Sequence, residues 1–165
     1  MFVLGVDPGL SRCGYCVLRT GRRASSVAVA MGVLRTDPGD PTPSRLAELC
    51  ADVRGLLDEF DPHALAIERV LFQVNVRTAI GVAQAAGVVM AEAATRGMAV
   101  SEYSPNEVKD AVAGDGAADK EQVQTMVRLL LDLPAPPRPA DAADAAAIAL
   151  AHVARMGAPG EAVLR

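Results

Sequence analysis

The chain has 165 residues, of which 51% are hydrophobic and 22% charged, and its formal net charge is −4 at pH 7. This composition predicts a folded globule with one sizeable core and excludes a disordered chain. The acidic balance taken alone argues against nucleic-acid binding, although binding depends on where the charges lie. No run of about 18 apolar residues lacks a charge, so no transmembrane helix is predicted. Asp7 interrupts the apolar start, so the signal-peptide pattern is not met. We therefore expect a cytoplasmic protein without a membrane partner.

The first half of the chain predicts strands followed by a helix and a further strand. Pro8-Gly9 and the segment 37–43 have turn and loop composition. Ser44 is the expected N-cap of a helix that reaches Phe60, with apolar residues at helical spacing. The strand after this crossover helix should lie parallel to an earlier strand, whereas the first three should pair antiparallel. The predicted strands are residues 2–7, 13–20, 27–35 and 64–68.

The second half of the chain predicts mainly helices. Helices are expected at 75–96, 105–113, 120–131 and 141–156, with a strand at 98–103. Four prolines make residues 133–139 an extended connector. No linker or repeat divides the chain, so residues 1–156 are expected to form one domain and residues 157–165 a loose tail. The order of elements predicts an α/β fold with helices packed on a mixed sheet.

Four carboxylates occupy positions that could bring them together. Asp7 and Glu68 each end an apolar, strand-like run, and Asp141 and Asp144 share one face of the last helix. Each also has a structural interpretation: Asp7 as a turn residue, Glu68 as a strand end bonded to Arg69, and the two helical aspartates as capping groups. If the first and fourth strands are neighbours and the last helix begins nearby, the four carboxylates would meet. Like charges this close favour bound Mg²⁺ or Mn²⁺.

The chain contains 14 arginines but only two lysines, Lys109 and Lys120. These lysines flank the loop around Gly114-Asp115-Gly116. Their placement suggests that compact ammonium charges are required there. The alternative is chance combined with the need for a solvated surface.

The cysteines and histidines predict no second reactive site. Cys13, Cys16 and Cys50 are an odd number, which argues against a disulfide framework. The C-x-x-C spacing of the first two lies in a predicted strand, where positions i and i+3 point to opposite faces. Redox or zinc chemistry is therefore not expected. His63 is expected at the surface, and a structural role is expected for His152.

The motifs together resemble the RuvC family of Holliday-junction resolvases, which are endonucleases with the ribonuclease H-like fold. They run in the family's order and spacing over nearly the full length. The resemblance implies a mixed sheet of three antiparallel strands followed by two parallel strands, flanked by helices. The matching segments are 5–9 with Gly14-Tyr15, then 66–70, 84–87, 103–109, 120–124 and 140–145.

The resemblance also implies a reaction. Asp7, Glu68, Asp141 and Asp144 would form a catalytic tetrad that binds two Mg²⁺ ions, for which Mn²⁺ can substitute. Asp141 falls where the family tolerates a histidine. One ion, held by Asp7 with Asp141 or Asp144, would activate water, and the second, held by Asp7 and Glu68, would stabilise the leaving 3′-oxygen. A homodimer would cut a four-way DNA junction by paired symmetric nicks, alongside the branch-migration proteins RuvA and RuvB.

The resemblance further implies DNA-contacting residues near the tetrad. The family often places an aromatic residue after the catalytic glutamate, where it stacks near the junction centre. Here that position holds Leu71, with Phe72 next to it. Either the aromatic role has moved by one residue or an aliphatic wedge replaces it. The predicted DNA-binding residues are Arg69, Leu71, Phe72, Asn75, Arg77, Lys109 and Lys120.

Two other functions remain open at this point. Nucleotide-binding ATPases of the actin and sugar-kinase type also begin with a strand, Asp-x-Gly and an antiparallel hairpin, here at Asp7-Pro8-Gly9. They need two such domains around the nucleotide, and 165 residues supply one. A catalytically inactive DNA-binding module is the second alternative, against which the four intact carboxylates argue.

Overall fold

The structure, a computed structural model, describes residues 1–21, 26–70 and 76–157, without the side chains of residues 76–78. Five strands form one mixed sheet: β1 (Phe2–Asp7), β2 (Arg12–Thr20), β3 (Ser26–Arg35), β4 (Ala64–Glu68) and β5 (Ala99–Tyr103). Their order is β3-β2-β1-β4-β5. The first three strands pair antiparallel, while β4 lies parallel to β1 and β5 parallel to β4. The predicted ribonuclease H-like arrangement is confirmed.

Five helices accompany this sheet: α1 (Thr42–Phe60), α2 (Val76–Thr95), α3 (Pro105–Ala113), α4 (Lys120–Leu130) and α5 (Ala140–Gly157). The predicted start of α1 is wrong, because its N-cap is Pro41 and not Ser44. A proline in the first turn costs no hydrogen bond, so the helix extends back into a segment whose composition suggested a loop. Of the predicted tail, only Gly157 is described, as the last residue of α5. None of the helices described has the length and apolar character needed to cross a bilayer.

Alternating strand residues build two apolar layers, one on each face of the sheet. Leu65 and Ile67 pack with residues of α1 and α2 such as Leu49 and Val89. On the other face, α3, α4 and α5 pack against residues such as Ala66. The sheet is thus covered on both sides, and the carboxyl ends of β1 and β4 emerge at one edge between these layers.

Helix α5 lies unusually close to the centre of the sheet because glycine faces it from two strands. A Cβ atom built on Gly5 would lie 2.7 Å from the Cβ of Ala149, and one built on Gly14 would lie 2.7 Å from the backbone carbonyl carbon of Asp141. Real Cβ atoms do not approach so closely. The glycines therefore determine how closely α5 packs on β1 and β2.

The two cysteines of the C-x-x-C segment point to opposite faces of the sheet, as predicted. Cys13 belongs to the layer under α1 and α2, and Cys16 to the layer under α3, α4 and α5. Both are free thiols, and burial raises the pKa of each to about 12. They act as small apolar core residues.

Candidate active site

The parallel pairing of β1 and β4 places Asp7 and Glu68 side by side. Val6 and Ile67 are paired in the register, so the next residue of each strand carries its carboxylate at the same edge. The two carboxyl groups interact, and the charge of Glu68 contributes to raising the pKa of Asp7. Each side chain is only partly exposed, since the surrounding apolar layers shield the strand ends.

Helix α5 brings two further carboxylates to this edge. Asp7 is paired with Gly14 in the β1–β2 register, and the backbone of Asp141 lies directly over Gly14. Asp141 and Asp144 are in the first turns of α5, where the positive end of the helix dipole favours negative charge. The charges of both aspartates act on Asp7. We refer to Asp7, Glu68, Asp141 and Asp144 as the carboxylate cluster.

The electrostatics of the carboxylate cluster show how strongly its members interact. Burial, followed by the charges of Glu68, Asp144 and Asp141, raises the pKa of Asp7 to about 7, although Lys120 acts in the opposite direction. The pKa of Glu68 is also raised, first by burial and then by Asp144. The carboxylate cluster therefore concentrates negative charge at a position that is partly shielded from water.

Two cations of the chain bind the helical pair of carboxylates. Lys120 Nζ donates a hydrogen bond to Asp144 Oδ2 at 2.8 Å. Arg12 Nε donates to Asp141 Oδ2 at 3.0 Å, and Arg12 Nη2 donates to the same oxygen. The hydrogen bond from Arg12 lowers the pKa of Asp141.

Arg12 is absent from the residues predicted from the sequence. A signal for it exists: Arg12 precedes Gly14 by two positions, so the two residues share a face of β2. Gly14 is the contact point of the helix that carries Asp141. The sequence does not show that α5 packs on Gly14. Without that packing, Arg12 has only the features of an ordinary exposed strand residue.

The donor chemistry of the carboxylate cluster suits a hard divalent cation, which prefers carboxylate oxygens. Burial and the repulsion between neighbouring carboxylates raise the pKa values of Asp7 and Glu68, and such a cation would offset both effects. The side chains as they lie do not form a ready binding site. Among the residues that the structure describes, no group of three or more His, Cys, Asp or Glu could hold a metal ion.

The raised pKa of Asp7 predicts a measurable pH dependence of stability. The folded protein binds this proton more tightly than the unfolded chain, whose pKa is near 3.8, so the stabilisation is complete below that pH and is lost as the pH rises toward 7. The loss is at most about 4 kcal/mol. In EDTA, the thermal midpoint of the wild type should fall between about pH 5 and pH 8, whereas that of Asp7→Asn should fall less. Parallel curves for the two proteins would contradict the prediction.

Basic residues surround the carboxylate cluster. Lys109 and Lys120 line a cavity of about 320 Å³ together with Glu68 and Asp144. Arg69, directly after Glu68, is exposed, and its backbone N–H donates to the carbonyl of Tyr103 at 2.8 Å. The other predicted DNA-binding positions give no geometry: Leu71, Phe72 and Asn75 lie outside the described residues, and the side chain of Arg77 is not described.

The histidines lie apart from the proposed chemistry. His152 is buried on α5, and its Nδ1 lies 2.9 Å from the hydroxyl of Tyr103. Burial lowers the pKa of His152, so the ring is held neutral as a core contact. His63 is exposed beside the start of β4.

Comparisons with known proteins agree with this fold. The sequence profile described as crossover junction endodeoxyribonuclease RuvC matches residues 3–152. A crossover junction endodeoxyribonuclease RuvC from Parafrankia sp. is 54% identical over 157 residues, which cover 94% of this chain and 87% of the relative. The corresponding protein of Pseudarthrobacter chlorophenolicus is 49% identical over 155 residues, which cover 94% of this chain and 81% of the relative.

Solved structures give the same result. The RuvC of T. thermophilus, in complex with a Holliday junction substrate, superimposes with a TM-score of 0.89 at 39% identity. The alignment covers 95% of this chain and 96% of that one. A profile match over most of the chain, relatives near 50% identity and a shared topology lead to one conclusion. The chain belongs to the RuvC family of crossover junction endodeoxyribonucleases.

Proposed function

We propose that this protein resolves four-way DNA junctions by metal-dependent hydrolysis of phosphodiester bonds, with Asp7, Glu68, Asp141 and Asp144 as its catalytic residues. The observation that supports this assignment best is the carboxylate cluster itself. The four carboxylates come from β1, β4 and α5, and burial together with the charges of the other three raises the pKa of Asp7 to about 7. Such a concentration of negative charge destabilises a protein unless bound cations neutralise it. The related T. thermophilus protein was solved with a Holliday junction substrate.

Each member of the cluster has a distinct place in the proposed reaction. Asp7 is central, because the charges of Glu68, Asp144 and Asp141 all act on it. Asp7 would therefore contribute to both metal positions, with Glu68 on one side and the α5 aspartates on the other. When bound, two Mg²⁺ ions (or Mn²⁺) supply an activated water and neutralise the charge on the leaving oxygen. The carboxylates would hold these ions in position, and the apolar layers around the strand ends limit access of bulk water.

The basic residues around the cluster would hold the DNA backbone. Lys109 and Lys120 line the same cavity as Glu68 and Asp144, and Arg69 follows Glu68 directly. Phosphates placed against these cations would bring a scissile bond to the carboxylates. Leu71, Phe72, Asn75 and Arg77 complete the proposed DNA-binding set from the family resemblance.

Neutralisation of phosphates makes the affinity for junctions depend on salt. We expect Lys109→Gln to weaken junction binding and to reduce the slope of log K against log salt concentration by about 1. Arg54→Gln is a matched control, because Arg54 lies on α1 and is bonded to Glu92. Fluorescence anisotropy with a labelled junction at several salt concentrations measures both slopes. Equal slopes for Lys109→Gln and the wild type would remove Lys109 from the phosphate contacts.

A symmetric junction offers two equivalent strands, so we propose that a homodimer makes paired nicks in opposing strands. Each copy would act through one nuclease domain formed by residues 1–156, in the cytoplasm and alongside the branch-migration proteins RuvA and RuvB. A dimer measured by sedimentation, together with nicks at symmetry-related positions, would support this assembly. A monomer that still cuts both strands would contradict it.

The decisive experiment compares a synthetic four-way junction with linear duplex of the same sequence, with and without Mg²⁺. The proposal requires cleavage of the junction, little cleavage of the duplex, and none after chelation of the metal. Junction binding without cleavage under all metal conditions would instead indicate an inactive DNA-binding module. Hydrolysis of Mg-ATP without any nicking would indicate the nucleotide-binding alternative.

A further inference from the structure

Arg12 forms a specific contact with one member of the carboxylate cluster. It lies at the start of β2, and its side chain spans from the sheet to the first turn of α5. Two of its nitrogens, Nε and Nη2, donate to the same oxygen, Asp141 Oδ2. The side chain of Arg12 is 41% exposed and that of Asp141 27% exposed. Water therefore reaches the pair, but the hydrogen bonds are direct.

The contact occupies one of the two carboxylate oxygens through which Asp141 could bind a metal ion. A carboxylate oxygen that accepts two N–H groups has its lone pairs directed at the donors. A divalent cation on the same oxygen would also face the positive guanidinium. Arg12 and a metal ion therefore compete for Asp141 Oδ2.

The position of Arg12 in the sheet makes it a more persistent partner than Lys120. Lys120 is the first residue of α4, its side chain is 60% exposed, and it gives Asp144 a single hydrogen bond. Arg12 belongs to a central strand, and its register is held through Gly14 directly under the backbone of Asp141. A planar guanidinium also loses less freedom than an ammonium for each hydrogen bond that it makes.

We propose that Arg12 is a positioning residue that serves as the internal counter-ion of Asp141 and lowers the affinity of the carboxylate cluster for divalent cations. To bind a cation through Oδ2, Asp141 must give up Arg12, and a cation on Oδ1 would still face the positive guanidinium. In the meantime Arg12 keeps the first turn of α5 neutralised and docked on β2. This inference rests on the proposed metal-dependent function.

Titration calorimetry with Mn²⁺ in the absence of DNA tests the inference without reference to cleavage. We expect Arg12→Met to bind Mn²⁺ about two- to fivefold more tightly than the wild type, the range that a partly exposed ion pair supports. Arg12→Lys retains the charge without the two-nitrogen contact, so its affinity should lie between the two. In an Asp141→Asn background, Arg12→Met should leave the affinity unchanged, because its effect acts through Asp141.

Arg35→Met is the matched control, since Arg35 is the register partner of Arg12 on β3 and carries the same charge. It should change Mn²⁺ affinity less than Arg12→Met does. Equal affinities for Arg12→Met and the wild type would overturn the inference, as would equal tightening by Arg35→Met, which would indicate only a change in net charge. If the wild type cuts junctions with Mn²⁺ in that case, only the inference about Arg12 has failed. If the proposed function itself fails, the wild type should show no Mn²⁺ binding at all.

Discussion

The Asp7→Asn protein should bind a four-way junction and yet cut it roughly 10³-fold more slowly than the wild type, since a metal ion contributes several kcal/mol to stabilising the transition state. Asp7 is the carboxylate on which the other three act, so its loss affects both proposed metal positions. The replacement is nearly isosteric and removes a carboxylate whose ionisation is opposed by burial and by the charges of its three neighbours. The folded state should therefore be retained or stabilised at neutral pH.

Asp52→Asn is a suitable control, because Asp52 is exposed on α1 and the substitution removes the same charge. Single-turnover cleavage and an electrophoretic binding assay in Ca²⁺ separate chemistry from binding. Cleavage by Asp7→Asn at the wild-type rate would remove the metal mechanism. Loss of junction binding in Asp7→Asn but not in Asp52→Asn would show instead that Asp7 acts in substrate binding.

The Gly5→Ala protein should be less stable by about 3 kcal/mol, the upper part of the range for overpacking a core. The added methyl group would lie 2.9 Å from the backbone nitrogen of Ala149 and 2.7 Å from its Cβ. Helix backbone cannot yield as a flexible side chain does, so α5 must move away from β1 as a unit. Because α5 carries Asp141 and Asp144, junction cleavage should fall as well.

Gly55→Ala provides the opposite expectation from the same substitution. Gly55 is exposed on α1, and a Cβ built there meets no atom within 4 Å. Alanine should stabilise this helix by up to about 1 kcal/mol through its higher helix propensity. Urea unfolding followed by circular dichroism compares the two variants. A Gly5→Ala protein with wild-type stability and activity would show that the contact between β1 and α5 does not position the site.

The sequence predicts the sheet well because its signals are local. Short apolar runs with turn residues between them indicate the strands, and the crossover helix before β4 indicates that β4 lies parallel to an earlier strand. The N-terminus of α1 is less predictable, since the prolines around Thr42 are compatible with either a loop or a first helical turn. The role of Leu71 or Phe72 near the junction centre stays a prediction, because both residues lie outside the described residues.

The carboxylate cluster was also predictable only in part. The chain alone indicates that Asp7 and Glu68 end strands and that Asp141 and Asp144 share a helical face, because these are properties of neighbours in sequence. Only the tertiary structure brings α5 onto Gly5 and Gly14, and thereby joins Arg12 to Asp141 and Lys120 to Asp144. The contact of Arg12 with Asp141, 129 positions away, depends on how helix and sheet pack. That packing depends on the fit of whole surfaces, which local spacing does not encode.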